Sequence, residues 1–175
     1  AWNYAAVRGF PRKQAGEDFY LLNKLAKTGE IIRPKSEAIQ IRGRRSFRVP
    51  FGTGAAMNKM VDTDGGISNF KLYHPRVFEA LRFVLKGLRD FASSGEVKSF
   101  YSAISFAPPN PLSATRTVVD AMGFSPALEE AQRQSPTEEA LLKRLHAWFD
   151  SFRCLRFIHQ IRDETLESIP WHEAL

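Results

Sequence analysis

Apolar residues recur every three or four positions over most of the chain after His74, and this helical spacing constrains the fold more than any other feature of the sequence. Pro75 suits the first position of a helix, and Gly95 suits the residue just after its end. The apolar face between them consists of Val77, Phe78, Leu81, Val84, Leu85, Leu88 and Phe91. We therefore predict a helix from Pro75 to Ser94.

Glycine, proline and hydroxyl residues divide the next part of the chain into further helices. Val97–Phe106 predicts a short helix, and Pro108–Pro111 is the clearest break in the sequence. Ser113 is the expected cap of a helix that stops at Gly123, and another helix begins at Ser125.

The segment Ser135–Glu138 matches a capping box with proline at the first helical position. It predicts the start of the longest helix, which ends at about Glu164. The apolar positions of that helix are Leu141, Leu145, Trp148, Phe152, Leu155, Ile158 and Ile161. Its polar side is basic and carries Lys143, Arg144, Arg153, Arg156 and Arg162. A basic amphipathic helix can lie on an anionic membrane, and a solvated face is the other interpretation.

The region before His74 contains the only predicted strands. These are Glu30–Arg33 and Glu37–Ile41, with Ile39 and Ile41 on one face of the second strand. Gly54–Val61 is predicted to be a short helix. The predicted fold class is α+β, mainly α.

Charge also divides the chain. Residues 1–60 hold 12 Lys and Arg against 4 Asp and Glu, whereas residues 61–175 hold 13 against 15. A basic region of this kind suits nucleic acid, a membrane surface or a diphosphate. We predict one domain at residues 1–61 and a helical extension at residues 62–175.

The 175 residues, of which 43% are hydrophobic, are enough to bury a core. No apolar run approaches the roughly 18 to 20 residues of a membrane span. The single cysteine, Cys154, is expected to be a small core residue in a reducing compartment. These features predict a cytoplasmic protein, with peripheral contact at the inner membrane face as an open alternative.

Two adjacent carboxylates, Glu17 and Asp18, open a helix that is predicted to stop at a left-handed Gly29. Its apolar face consists of Phe19, Leu22, Leu25 and Ala26. First-turn amides favour negative charge by about 0.3 to 1 kcal/mol per group. An ionised carboxylate in a fixed place is what a general base requires, although such residues also cap helices without further function.

Residues 4–41 resemble the second half of the catalytic core of family 2 glycosyltransferases, which have the nucleotide-sugar-binding GT-A fold. The resemblance rests on Tyr4–Pro11, Gly16-Glu17-Asp18, Leu21, Leu25, Gly29 and Ile31-Ile32. In that family a helix ends in a Gly-Phe corner, and a Glu-Asp pair then opens the helix that faces the acceptor. The expected fold is the C-terminal part of a GT-A-like core with two short strands, followed by a helical extension.

The resemblance implies an inverting transfer of a sugar from a nucleotide sugar to an acceptor hydroxyl. Asp18 would accept the hydroxyl proton, and Glu17 would orient the acceptor or support the loop. Mg or Mn would be needed in the full-length protein, with ligands outside this chain, because the earlier half with its Asp-x-Asp motif is missing. The sequence opens at Ala1 without methionine and in mid-pattern, so we expect an inactive fragment that works with an N-terminal half of the same protein.

A second group of residues suits an anion. Four arginines, Arg42, Arg44, Arg45 and Arg48, lie with two hydroxyls and three glycines between Arg42 and Gly54. Guanidinium groups bind phosphate oxygens in bidentate fashion, and glycines let backbone N–H groups approach a phosphate. Few apolar residues hold this segment, so we expect a mobile backbone. The resemblance implies that it covers the diphosphate of the nucleotide sugar, and no metal ligand is predicted in this chain.

Two other classes of function stay open. One is a helical binding module for nucleic acid or another polyanion without catalysis, although no helix-turn-helix, zinc or RNA-binding signature favours nucleic acid. The other is a structural or assembly domain without chemistry, which the long apolar helices suit. Under the glycosyltransferase hypothesis, the helical extension would support the core, contribute acceptor specificity, or make a homo-oligomer or peripheral membrane contact.

Overall fold

The computed structural model describes residues 2–49, 52–62, 64–107 and 113–175. It divides the chain into residues 1–70 and residues 71–175, which we call the basic unit and the helical unit. The described residues are mainly helical and include two short antiparallel strands, so the class α+β, mainly α, is confirmed. The predicted break at Pro108–Pro111 lies outside the described residues.

The basic unit holds 12 Lys and Arg against 6 Asp and Glu. Its helices are α1 (Trp2–Ala6), α2 (Glu17–Leu25) and α3 (Thr53–Asp62), followed by a 3-10 helix at Gly66–Asn69. The helix predicted from Gly54 to Val61 is confirmed as α3. Among the described hydrophobic residues of this unit, only Val7 and Leu21 are buried.

The corner after α1 has an unusual backbone. Arg8 and Gly9 both have left-handed angles, with φ of 60° and 67°, a conformation that is uncommon for a residue other than glycine. The Gly9 amide donates to the Tyr4 carbonyl at 3.0 Å. The rings of Tyr4 and Phe10 meet edge to face at 6.1 Å, so a Gly-Phe corner does follow the helix.

The predicted strands Glu30–Arg33 and Glu37–Ile41 are wrong. Residues 30–47 have neither helix nor strand, and Ile39 and Ile41 are 89% and 81% exposed. A strand requires a neighbouring segment that exchanges backbone hydrogen bonds with it. The described part of the basic unit provides no such neighbour, so the alternation of isoleucines does not produce a strand there.

The predicted end of the carboxylate helix at Gly29 is also wrong. α2 ends at Leu25, and the backbone amide and hydroxyl of Thr28 both donate to the Leu25 carbonyl at 2.9 Å. Gly29 does not have a positive φ, whereas Gly16, just before the helix, has φ of 70°. The glycine with a left-handed backbone therefore begins this helix and does not end it.

The helical unit begins at strand β1 (Lys71–Leu72), which pairs antiparallel with β2 (Ile169–Pro170). Between the strands lie α4 (Pro75–Ser94), α5 (Val97–Ile104), α6 (Ser113–Ala121), α7 (Phe124–Arg133), α8 (Glu138–Trp148) and α9 (Ser151–Glu164), and α10 (Trp171–Ala174) follows β2. α4 packs against α5, α8 and α9, while α6 packs against α9 and α7 against α8. Within the described residues, none of the helices has the length and apolarity that crossing a bilayer requires.

The helix predicted from Pro75 to Ser94 is confirmed as α4. His74 Nδ1 accepts from the Arg76 amide at 3.2 Å at its start, and Gly95 ends it with φ of 71°. The residues of α4 that are completely buried are Val77, Ala80, Val84, Leu88 and Phe91. Phe78 on the predicted apolar face is 49% exposed, so the buried face is narrower than the apolar pattern.

The single long helix predicted to reach Glu164 is wrong, because it is two helices. α8 ends at Trp148, and Asp150 Oδ1 then accepts from the amides of Phe152 and Arg153 at 3.2 and 3.3 Å. A carboxylate that accepts two first-turn amides starts a new helix. The apolar residues keep the same helical spacing across this break, so the spacing did not reveal it.

The start of α8 is also displaced from the predicted capping box. Thr137 Oγ1 accepts from the Ala140 amide at 3.2 Å, so Thr137 caps the helix where Ser135 was expected to do so. The break after α8 changes which face is buried. Phe152 and Leu155, on the predicted apolar face, are exposed, and Phe157 is completely buried.

Gly87 lies where α4 packs against α5. A Cβ atom at Gly87 would lie 2.8 Å from the Phe100 ring and 3.0 Å from the Phe100 carbonyl oxygen. The backbone oxygen cannot move aside as a flexible side chain would. Only glycine therefore allows the two helices to approach in this way.

We predict that Gly87→Ala lowers the free energy of unfolding by about 1 to 3 kcal/mol, the usual cost of overpacking. This outcome opposes helix propensity, which favours alanine over glycine by about 1 kcal/mol. Urea unfolding followed by circular dichroism measures it. Glu79→Ala on the exposed side of the same helix is the control and should change stability by less than about 0.5 kcal/mol. A Gly87→Ala variant more stable than the wild type would contradict the close approach.

Cys154 is predicted to react slowly in the folded protein. Burial, and secondly the charge of Asp150, raise the pKa of its thiol from 9.0 to about 11. Because the thiolate is the reactive form, alkylation by iodoacetamide at pH 8 should be about a hundredfold slower than in urea. Cys154→Ser supplies the background rate. Equal rates in the folded and unfolded states would show an accessible, ordinary thiol.

Candidate functional site

The two predicted catalytic carboxylates are the first two residues of α2. Asp18 is exposed, and its Oδ1 accepts from the Phe19 amide at 2.8 Å, while Glu17 is half-buried. Gly16 turns the chain into the helix with its left-handed backbone. The first-turn amides of α2 favour negative charge at this place. The structure therefore presents the Asp18 carboxylate to solvent at the start of a helix.

The anchoring of α2 differs from the prediction. Leu21 and Asn23 are its buried residues, whereas Leu22 is 52% exposed and Ala26 is also exposed. The predicted apolar face through Leu22 is therefore wrong as a buried face. A buried amide beside a buried leucine cannot be found from hydrophobic spacing, which ignores polar residues.

The four predicted anion-binding arginines lie on residues 42–48, which we call the arginine segment. All four are exposed. Arg45 forms an ion pair with Asp62, the last residue of α3. Among the described residues, Arg42, Arg44 and Arg48 have no ion-pair partner.

One face of α3 holds the arginine segment. Gly54, Asn58 and Asp62 are spaced four residues apart and therefore lie along one side of the helix. A Cβ atom at Gly54 would lie 2.5 Å from Ser46 Cβ, and Asn58 Nδ2 donates to the Ser46 carbonyl at 2.9 Å. Asp62 completes the series through its pair with Arg45.

A further contact lies at the start of the segment. A Cβ atom at Gly43 would lie 3.1 Å from Met57 Cε. The segment thus approaches α3 at Gly43, Arg45 and Ser46. The scarcity of apolar residues in the segment predicted a loosely held backbone. In the structure, small residues and polar groups make further contacts that this prediction did not consider.

The sequence of α3 contains a pattern that indicates these contacts. Gly54, Asn58 and Asp62 recur at i, i+4 and i+8 in a helix whose existence was predicted. A stripe of small and polar residues indicates a face that lies against backbone. The partner of that face, Ser46, could not be found from the helix alone.

The carboxylates and the arginines are not joined directly. Within residues 2–49 and 52–62, no hydrogen bond or ion pair connects Glu17 or Asp18 with any of the four arginines. The carboxylates and the arginines therefore lie in the same unit without a direct hydrogen bond or ion pair between them.

Metal ligands are not assembled in the described ranges. No group of three or more His, Cys, Asp or Glu side chains there has the arrangement that could hold a metal ion. The residues present thus do not fit a Mg or Mn site by themselves.

A polar cluster in the helical unit was not predicted. Tyr73 Oη lies 2.8 Å from His159 Nε2, and the two rings stack at 6.0 Å. The Arg162 guanidinium lies 5.7 Å from the centre of the Tyr73 ring and holds the pKa of Asp163 below its usual range by a hydrogen bond. Because 86 residues separate Tyr73 from His159, no local pattern reveals the contact, which fastens the end of β1 to α9.

Comparison with known proteins adds no assignment. No protein-family model matches the sequence, and neither a curated protein nor a solved structure is significantly similar to it. The resemblance to family 2 glycosyltransferases therefore rests on residues 4–41 alone and stays a hypothesis.

Proposed function

We propose that residues 1–61 are the C-terminal part of the catalytic core of an inverting glycosyltransferase that transfers a sugar from a nucleotide sugar to an acceptor hydroxyl. The observation that carries the proposal is the exposed Asp18 carboxylate at the start of α2, beside half-buried Glu17. It stands where the resemblance expects the acceptor-facing Glu-Asp pair.

Asp18 is the proposed general base. As the acceptor oxygen attacks the anomeric carbon, its proton passes to the Asp18 carboxylate, and the bond to the diphosphate breaks so that the nucleoside diphosphate leaves. The Phe19 amide holds Oδ1 at 2.8 Å, which leaves the other carboxylate oxygen to accept the proton. Glu17 orients the acceptor or supports the adjoining loop.

The arginine segment is the proposed binding site of the diphosphate. Arg42, Arg44 and Arg48 have no ion-pair partner among the described residues, and guanidinium groups bind phosphate oxygens through paired hydrogen bonds. Stabilising charge on a leaving group is often the largest catalytic contribution. Arg45 adds its unused N–H groups while it remains beside Asp62.

The family implies Mg or Mn, which would neutralise charge on the diphosphate. The described residues do not assemble ligands for it, and its ligands would lie in an N-terminal half of the same protein. The roles of Asp18 and the arginines do not depend on the metal.

Exposed apolar side chains support a contact with such an N-terminal half. Large hydrophobic residues of the basic unit that are more than half exposed include Trp2, Phe10, Ile31, Ile32, Ile39, Ile41 and Phe47. A unit that buries so few of them gains little stability from its own core. We propose that further residues of the protein cover this surface.

The helical unit is the proposed extension of the enzyme. It has its own apolar core and an equal number, 13, of basic and acidic residues over 71–175. It would support the catalytic core, contribute acceptor specificity, or provide a contact with a second subunit or a membrane surface. A cytoplasmic location accompanies this proposal.

The coding sequence upstream of Ala1 offers the first test. A βαβ nucleotide-binding region and an Asp-x-Asp motif are expected there, since the resemblance covers only the second half of the core. An upstream region of another class would remove the basis of the proposal.

Asp18→Asn is predicted to lower turnover by about 10² to 10⁴, the usual contribution of a general base. The asparagine oxygen can still accept from the Phe19 amide, and the exposed position makes the melting temperature insensitive to the change. Release of nucleoside diphosphate from UDP-glucose, UDP-N-acetylglucosamine and GDP-mannose by the full-length protein measures the effect. Glu30→Gln, which neutralises another exposed acid of the unit, is the control and should keep wild-type turnover. Unchanged turnover with Asn at position 18 excludes Asp18 as the base.

Arg44→Ala and Arg48→Ala are each predicted to weaken binding of UDP or GDP about 10- to 100-fold, since hydrogen bonds to charged groups contribute about 1.5 to 3 kcal/mol. Isothermal titration calorimetry on the full-length protein with Mn²⁺ measures this. Lys35→Ala, an exposed basic residue outside the arginine segment, is the control. Unchanged nucleotide affinity, together with salt-dependent binding of DNA or RNA that both arginine variants lose, would instead support the polyanion-binding module.

A further inference from the structure

We infer that Gly54 is a positioning residue for the arginine segment, which it holds against α3 by having no side chain. The functional part of this inference depends on the proposed diphosphate site. The structural part depends only on the geometry around Ser46. It assigns α3 the task of fixing where the arginines stand.

The closest approach is at Gly54. A Cβ atom there would lie 2.5 Å from Ser46 Cβ, 3.2 Å from the Ser46 carbonyl oxygen and 3.3 Å from Ser46 Oγ. Real Cβ atoms essentially never come as close to a non-bonded atom as 2.5 Å, and the other two distances are tight. The Ser46 Cβ and carbonyl oxygen cannot rotate away. Any side chain at position 54 must therefore displace Ser46.

Asn58 fixes the same residue from the next turn of the helix. Its Nδ2 donates to the Ser46 carbonyl at 2.9 Å. This hydrogen bond needs the carbonyl to stay beside α3, so it depends on the space that Gly54 leaves. Backbone and side chain of Ser46 are thus both in contact with one face of the helix.

The position of Ser46 determines where the backbone of the neighbouring arginines lies. Arg45 immediately precedes it and pairs with Asp62, and Arg48 N lies 3.4 Å from Ser46 Oγ, to which it donates. Arg44 is two residues away. A shift of Ser46 therefore moves the backbone from which three guanidinium groups extend, and misplaced groups bind an anion less well.

The sequence suggested a different use for Gly54. Glycines near basic residues were expected to let backbone amides approach a phosphate. In the structure the open side of Gly54 is occupied by Ser46. The glycine acts on the ligand through the arginine segment and need not touch it.

The test is a double-mutant cycle in the full-length protein. Gly54→Ala introduces the clash, Ser46→Gly removes the Cβ and Oγ that it meets, and the double variant carries both changes. Amide hydrogen exchange over residues 43–48 reports the position of the segment, and calorimetry with UDP and Mn²⁺ reports its function. Val61→Ala, at an exposed position of α3 outside the arginine segment, is the matched control.

Gly54→Ala should speed exchange over residues 43–48 and weaken UDP binding about tenfold, while exchange in α4 stays unchanged. The double variant should recover at least half of the logarithmic loss in affinity and most of the protection over residues 43–47. The Arg48 amide should stay fast in it, because Ser46→Gly removes the Oγ that accepts from this amide. Val61→Ala should match the wild type in both measurements. A merely destabilising change in α3 would not be rescued by shortening Ser46.

Asn58→Ala gives a second route that creates no clash. It removes the donor to the Ser46 carbonyl, and it should speed exchange over residues 43–48 less than Gly54→Ala does. Unchanged exchange in Gly54→Ala, or a double variant no better than Gly54→Ala, would overturn the inference. If the wild type does not bind UDP, the glycosyltransferase proposal fails, while rescue of the exchange pattern still supports the positioning role.

Discussion

The ring of Phe124 stands at the centre of the contacts on which the helical unit depends. It stacks on Phe100 of α5 at 5.3 Å and meets Trp148 of α8 edge to face at 4.9 Å and Phe149 at 5.1 Å. Aromatic pairs contribute about 0.5 to 1.5 kcal/mol each beyond the area that they bury. Because Phe124 begins α7, its ring joins three helices and the corner after α8. The capped start of α9 at Asp150 follows directly from that packed corner.

The basic unit has no comparable centre among its described residues. Val7 and Leu21 are its buried hydrophobic side chains, and the polar contacts of the arginine segment are largely exposed. Exposed ion pairs such as that of Arg45 with Asp62 contribute only about 0 to 1 kcal/mol. The close fit of Ser46 against Gly54 and the hydrogen bond from Asn58 to Ser46 therefore determine the conformation of the arginine segment more than charge does. A partner that covers the exposed isoleucines would add the apolar burial that this unit lacks.

A structural feature could be predicted from the sequence when the residues that cause it lie within a few positions of it. The start and end of α4 follow from Pro75 and Gly95, which act on their own turns, and both were predicted correctly. The end of α2 was misplaced because Thr28, not a left-handed Gly29, satisfies the last carbonyl. Strands and the contact at Ser46 depend on residues distant in sequence, so spacing could not reveal them. The carboxylates were placed correctly at a helix start, since that prediction too was local.

The separation of acidic and basic groups in the basic unit bears directly on the proposed chemistry. A carboxylate paired with a guanidinium is a weaker proton acceptor, and the guanidinium so paired attracts a phosphate less strongly. Asp18 has no ion pair with the arginines of residues 42–48, of which Arg45 alone has an ion-pair partner among the described residues, namely Asp62. Asp62 therefore pairs with one arginine of the segment, and the other three have no ion-pair partner among the described residues. In the proposed function, the general base and the anion site would therefore not neutralise each other.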